Sequence, residues 1–184
     1  MNALTHSHAP APKSRISALT PADVDAVAVL ARSIWQATYP AIISQEQIDF
    51  MLAQRYNTSR LQDELMAQDI WWDQARVEGL LAAFASSLLT STPGEMKLDK
   101  LYVDPQWQRL GLGGELIAHV TRRAIEHGCD TLILAVNKHN ERAVNAYRKH
   151  GFAIREGVRV EIGNGFVMDD FIMAKPLTAH SPAR

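Results

Sequence analysis

The stretch Lys97-Leu98-Asp99-Lys100-Leu101-Tyr102-Val103-Asp104-Pro105-Gln106-Trp107-Gln108-Arg109-Leu110-Gly111-Leu112-Gly113-Gly114 decides how this chain is read. Met96–Val103 reads as a strand, and the glycine turn after it opens a helix on which Leu116, Ile117, Val120 and Ala124 recur at helical spacing. Glycines without Cβ let backbone N–H groups converge on one small space, and the start of the helix carries a partial positive charge. That combination makes a cradle for phosphate, although glycines at a strand-to-helix turn also serve purely structural ends. Two phosphate-binding patterns fail. The dinucleotide fingerprint needs glycine at position 116, which is Leu116, and no Gly-Lys-Ser/Thr ending follows the turn. The same mismatch, with no repeated βαβ half, disfavours a nicotinamide-dependent enzyme.

Outward from this turn, Thr131–Val136 reads as a buried strand, and Asn140 starts a helix that ends at His150-Gly151, with glycine suited to a left-handed cap. Phe152–Val160 and Phe166–Ala174 form a closing antiparallel pair around Gly163-Asn164-Gly165. On the other side, a strand at Arg15–Leu19 leads through Thr20-Pro21 into a helix reaching Trp35. Ser44 caps a second helix to about Arg55, and Thr58 or Ser59 caps a third ending near Ala67. Ile70–Trp72 and Gly79–Ser87 read as strands joined by a polar turn, Asp73–Arg76. The order βαααββ, βαβα, ββ predicts an α/β (α+β) chain with a mixed sheet and helices on its faces.

At 184 residues the chain fits one domain, read as 14–177 between a flexible N-terminal tail, 1–13, and a C-terminal tail, 178–184. His6 and His8 in the first tail are solvated side chains or adventitious metal ligands. Nineteen Lys plus Arg against twenty Asp plus Glu supply no field for gripping a nucleic-acid backbone. The lone Cys129 makes neither an internal disulfide nor a Cys-rich zinc site, so no metal is expected and a reducing, cytoplasmic setting fits. The longest apolar run, Leu80–Ala85, is far short of the roughly 20 residues that span a bilayer, so no membrane partner is expected.

A second constellation lies in Val136–Phe152, where Asn140, Ala143 and Tyr147 fall at i, i+3 and i+7 on one helix face. A tyrosine so placed is a chemical group or a core residue. Taken with Gln-x-x-Gly-x-Gly at Gln108, Gly111 and Gly113 after a strand ending Val-Asp-Pro, the pair resembles the acetyl-CoA site of the GNAT superfamily of N-acetyltransferases. Glu161–Met173 and Lys97–Val103 resemble a bacterial branch that includes spermidine/spermine acetyltransferases, and the likeness spans 14–177.

The resemblance implies a mixed, mostly antiparallel sheet of six to seven strands with helices on both faces. It implies acetyl-CoA as co-substrate, with Leu101, Tyr102 and Val103 pairing with the pantetheine arm. Gln108, Arg109, Leu110, Gly111, Leu112, Gly113 and Gly114 would hold the pyrophosphate, and Asn140 and Ala143 would lie along the arm. Tyr147 would protonate the leaving thiolate. The acceptor would be a primary amine of a small polyamine-like or amino-acid-like molecule, or a protein amino group, attacking directly in a ternary complex. Exposed strand edges in this superfamily often pair into homodimers.

The general base is open. Some relatives carry a glutamate where this chain has Ala135, which takes no proton. Counting by twos puts Glu95, Lys97, Asp99, Leu101 and Val103 on one face and makes Asp99 the candidate base, direct or through water. Asp99 reads equally as a charge partner for Lys97 or Lys100, Glu95 is a second candidate, and an amine already neutral on binding needs neither. Trp35 and Tyr39, with Trp71-Trp72, are candidates to line the acceptor pocket, where large aromatics also pack cores. A non-catalytic acyl-CoA-binding module is the competing class, kept open by Ala135 and opposed by Tyr147.

Overall fold

Period-two alternation makes the strands and 3.6-period apolar faces make the helices of the computed structural model, which describes residues 14–177. In chain order they are β1 (Ser14–Ala18), α1 (Val24–Thr38), α2 (Gln45–Arg55), α3 (Thr58–Met66), β2 (Ile70–Val77), β3 (Leu80–Leu89), β4 (Glu95–Val103), α4 (Leu112–Glu126), β5 (Thr131–Asn137), α5 (Glu141–Lys149), β6 (Ala153–Gly163) and β7 (Phe166–Pro176). The two tails, with His6 and His8, lie outside the described residues. Ser44 caps α2 by accepting from the Gln47 N–H. The cap of α3 is Asn57, which accepts from Arg60 N, rather than Thr58 or Ser59.

The strands form one seven-stranded sheet in the order β1-β2-β3-β4-β5-β7-β6. Every neighbouring pair is antiparallel except β4 and β5. One face packs α4 and α5 through Leu116, Val120 and Val144 onto Met96, Leu98, Leu132 and Leu134. The other packs α1–α3 through Ile34, Ile48, Met51 and Leu61 onto Trp72 and Phe84. The helices therefore cover both faces, which removes from water the near-continuous apolar runs of the central strands.

Asp73–Arg76 is not a turn. It is the middle of β2, and the chain reverses instead at Glu78-Gly79, both with positive φ (51° and 82°). The polar residues that suggested a turn are matched by distant partners. Arg123 of α4 holds both oxygens of Asp73 at 2.6 and 2.7 Å, and His119 lies 3.1 Å away. Gln74 and Arg76 both donate to Asp23, just before α1.

Two irregularities shape the middle of the sheet. β4 and β5 pair only over Glu95–Lys97 and Thr131–Ile133, after which no rung joins them. Between Ser86 and Ser87 of β3 the partner on β4 jumps from Lys100 to Leu98, so Asp99 is an extra, unopposed residue. Alternation breaks there: Met96, Leu98, Leu101 and Val103 belong to the α4 side, while Tyr102 packs on the α1–α3 side. The count by twos that grouped Asp99 with Leu101 and Val103 fails for this reason.

Asp73→Ala should leave the Arg123 guanidinium unpaired in the interior at a cost of about 3–5 kcal/mol. The thermal midpoint should fall by roughly 10 °C for a chain of this size, measured by scanning calorimetry. A fall below about 2 °C would show the pair to be dispensable.

Candidate functional site

α4 starts without a side-chain cap: Gly111 occupies the cap at φ 85°, in the left-handed region that glycine tolerates. The first-turn amides of Leu112, Gly113 and Gly114 have no carbonyl one turn earlier to bind and are left for a ligand. At Gly114 the constraint is contact, since a Cβ would stand 2.7 Å from the ring of His150 at the end of α5. Arg109, also at positive φ (68°), and Leu110 are exposed at the tip of the loop. Gln108 ties the loop down, donating to the Val103 carbonyl at 3.3 Å and accepting from Arg142 of α5.

Because β5 leaves β4 after Lys97, one edge of Leu101, Tyr102 and Val103 carries backbone groups with no strand beside them, while the other edge pairs with Ala85, Phe84 and Ala83. An open cleft of about 430 Å³ lies just past this strand, between the end of α1 and the start of α5, lined by Thr38, Ile42, Pro105, Gln108, Asn140 and Arg142 among others. Asn140 caps α5 by accepting from Ala143 N at 3.2 Å, which commits its oxygen and leaves its amide nitrogen as the donor. Ala143 and the half-buried Tyr147 pack against the α4-side core, with the Tyr147 ring edge-on to Phe152 at 5.8 Å. The structure thus brings Gln108 and the start of α5 to one mouth, with the glycine turn following Gln108 and meeting the far end of α5 at His150, and Tyr147 two turns further along α5.

The aromatic candidates separate. Trp35 is 3% exposed and belongs to the α1–α3 core, with the ring of half-buried Tyr39 tilted against it at 4.5 Å. Trp71 packs on His127 of the opposite face, and Trp72 is buried beside Phe84. None of these four candidate rings lines the cleft, and Trp71 and Trp72 are claimed by opposite cores because consecutive strand residues point to opposite faces. Tyr39 and Tyr56 converge on the hydroxyl of Tyr102, and burial pushes all three phenols up. Burial does the same to Tyr147, assisted by the nearby Tyr39.

The carboxylates of the α1–α3 side differ in how they are held. Burial would raise Asp99, but Lys100 at 2.9 Å and Lys97 at 2.7 Å more than reverse it and hold the carboxyl below the usual range. Lys100 also binds Glu64 at 3.1 Å, which in turn takes the Trp72 indole N–H at 3.2 Å. Asp170 of β7, which sequence reasoning passed over, is 4% exposed with its Oδ1 buried and unpartnered. Burial pushes its carboxyl up, against the pull of Arg55, Lys97 and Lys138. The signal was available: Met168, Asp170 and Ile172 alternate, with one carboxylate among apolar side chains. Among the described residues no group of three or more His, Cys, Asp or Glu is placed to hold a metal ion, and no helix is long and apolar enough to cross a membrane.

Comparison with known proteins agrees with this fold. Residues 30–152 match the Acetyltransferase (GNAT) family. The spermidine N(1)-acetyltransferase of Thermoplasma acidophilum is 23% identical over 151 residues, covering 80% of this chain and 90% of that one. The PaiA N-acetyltransferase of the same organism, solved in complex with coenzyme A, superposes with a TM-score of 0.77 at 24% identity over 89% of this chain and 99% of its own. A ribosomal-protein alanine N-acetyltransferase from Escherichia coli gives a TM-score of 0.68 at 22% identity, over 94% and 99%.

The chain has four tyrosines, all of them pushed above the ordinary phenol value. The folded state therefore binds more protons than the unfolded one above pH about 10, so stability present below that pH is lost as pH rises. An absorbance titration should show no phenolate near pH 10 and a single cooperative appearance at the alkaline unfolding midpoint. A gradual rise centred near pH 10 in folded protein would contradict it.

Proposed function

We propose, from the premise that this chain belongs to the Acetyltransferase (GNAT) family and is an N-acetyltransferase, that it moves the acetyl group of acetyl-CoA to a primary amine by direct attack within a ternary complex. The observation that carries this reading is the place of the Tyr147 phenol, on the helix whose first turn borders the cleft. A group that must give a proton to a departing thiolate has to hold it until then, and a phenol does so at neutral pH.

The residues fit acetyl-CoA part by part. The first-turn amides of α4, with the backbone of Arg109, Leu110 and Gly111, offer donors to a pyrophosphate at the positive end of the helix. Gln108 sets the height of the loop through its bond to Val103. The unpaired edge of Leu101, Tyr102 and Val103 receives an extended amide-bearing arm as an added strand would be received, with main-chain bonds supplying affinity. The amide nitrogen of Asn140 is the donor on the far wall, and the methyl of Ala143 leaves room for the arm to pass. Acetyl-CoA supplies the thioester carbonyl and the sulfur leaving group; the protein supplies alignment, the proton of Tyr147 and backbone N–H groups for the carbonyl oxygen.

The acceptor side is the face of α1–α3, with Tyr39 on its wall. The family relatives described above act on spermidine and on an alanine of a ribosomal protein, both amines, and a small primary amine suits a wall of this kind. Asp99, clamped between two ammonium groups, is a weak proton acceptor, and we assign it the role of counter-ion that sets Lys97 and Lys100. A module that only binds acyl-CoA has no use for a proton donor at Tyr147.

Acetyl-CoA at a hundred times its Kd should stabilise the fold by about 2.7 kcal/mol, read as a rise of several degrees in scanning fluorimetry. Tyr147→Phe should lower kcat about 100-fold and leave acetyl-CoA affinity unchanged in calorimetric titration. Unchanged turnover would remove Tyr147 from the acid role.

A further inference from the structure

We infer that Asp170 is the group that takes the proton from the acceptor's ammonium. The inference rests on the acetyltransferase reading and names the base which that reading leaves unassigned.

The position follows from the sheet. On β5, Leu132, Leu134 and Val136 enter the core under α4, so Ile133, Ala135 and Asn137 face the α1–α3 side. Asp170 stands opposite Asn137 on β7 and shares a face with Met168, which packs on the α1–α3 core. Opposed residues in such a pair are about 5 Å apart and the diagonal neighbour about 7–8 Å, so Asp170 looks across Ala135 toward the gap that opens between β4 and β5. A methyl at 135 leaves that line open where a longer side chain would fill it.

The hydrogen bonds select the same residue. Buried polar atoms are nearly always paired, and a buried carboxylate oxygen without a partner costs stability. Among the carboxylates of this face, Asp99 is held by two lysines, and Glu64 by Arg60, Lys100 and Trp72. Glu95, at the paired end of β4, is bound by Arg155 and Thr90. Asp170 Oδ1 has no partner, and it is an acceptor in want of an N–H donor. An alkylammonium has three. The charged and titratable groups around it are Arg55 from α2, Tyr39 at the end of α1, Lys97 from β4, Lys138 after β5 and the adjacent Asp169. Burial outweighs the three cations, which leaves the carboxylate more basic than usual, as removal of a proton from an ammonium requires.

The step balances. The ammonium gives one proton to Asp170; its nitrogen bonds the acetyl carbon as the carbon–sulfur bond breaks, and the sulfur takes the Tyr147 proton. The nitrogen's surplus proton restores the Tyr147 phenol, and the proton on Asp170 passes to solvent as the one proton the reaction releases.

The test uses the full chain with a panel of spermidine, lysine, an aminoglycoside and an alanine-terminated peptide, following thiol release and taking the amine turned over fastest. Asp170→Asn should lower kcat/KM at pH 7 at least 100-fold and remove the acidic limb that Asp170 contributes to the pH profile. Its acetyl-CoA Kd should match the parent and its thermal midpoint should be no lower, because the substitution removes an unpaired buried charge. A structural role would give the opposite pairing, with a lower midpoint accompanying the lost activity, and would overturn the inference. So would turnover within threefold of the parent with an unchanged pH profile. If the parent itself binds no acetyl-CoA and frees no thiol with any amine, the acetyltransferase reading falls and takes the base with it; an active parent beside an indifferent Asp170→Asn overturns the base alone.

Discussion

The site depends on the parting of β4 from β5. Three residues on each strand pair, Glu95–Lys97 with Thr131–Ile133, and then the only parallel junction in the sheet ends. Backbone groups inside a sheet are ordinarily consumed by their neighbours, and an interior strand with a free edge is costly unless something else covers it. Here that edge lies in the middle of the molecule, flanked by helices on both faces, where it is shielded from pairing with another chain and still open to an extended ligand. The glycine turn and α4 follow directly from β4, while α5 follows directly from β5. The separation of the strands therefore also sets the separation of the starts of α4 and α5.

A near-neutral chain with a formal charge of −1 can still meet a strongly anionic ligand, because oriented amides at a helix start do not register in the net charge. Charge is handled differently on the α1–α3 side of the sheet. Lys97, Asp99, Lys100 and Glu64 neutralise one another in a buried row, and only Asp170 retains an uncommitted oxygen. A fold that leaves such a group unsatisfied gives up stability at that point, a pattern typical of sites where function and stability compete.

The parts that were legible in the sequence are those whose cause is local. The strands and helices came through their periods, the α2 cap through Ser44, and the glycine turn and the Asn140–Tyr147 face through spacing alone. What was not legible has its cause elsewhere in the chain. Asp73–Arg76 looked like a turn because its partners Asp23 and Arg123 lie some fifty residues away on either side. The side on which Asp99 falls depends on its register against β3, which no count along β4 reveals. Trp35 and Trp72 could be ranked as wall or core only once their neighbours were known. Asp170 stood in plain alternation with Met168 and Ile172, yet its lack of a partner is a property of the folded surroundings.

The bulge at Asp99 also bears on how the chain can change in length. Deleting Asp99, the residue between Leu98 and Lys100, would restore strict alternation with Leu98, Leu101 and Val103 still on the α4 face, and would take away the carboxylate that sits between Lys97 and Lys100. Tyr102 would keep its place in the aromatic cluster and its pairing with Phe84, and what would go is the local bend that the extra residue puts into β4. At this one place in the strand, then, a residue can be lost without changing which face its neighbours serve, and related chains should differ there by gain or loss as readily as by replacement.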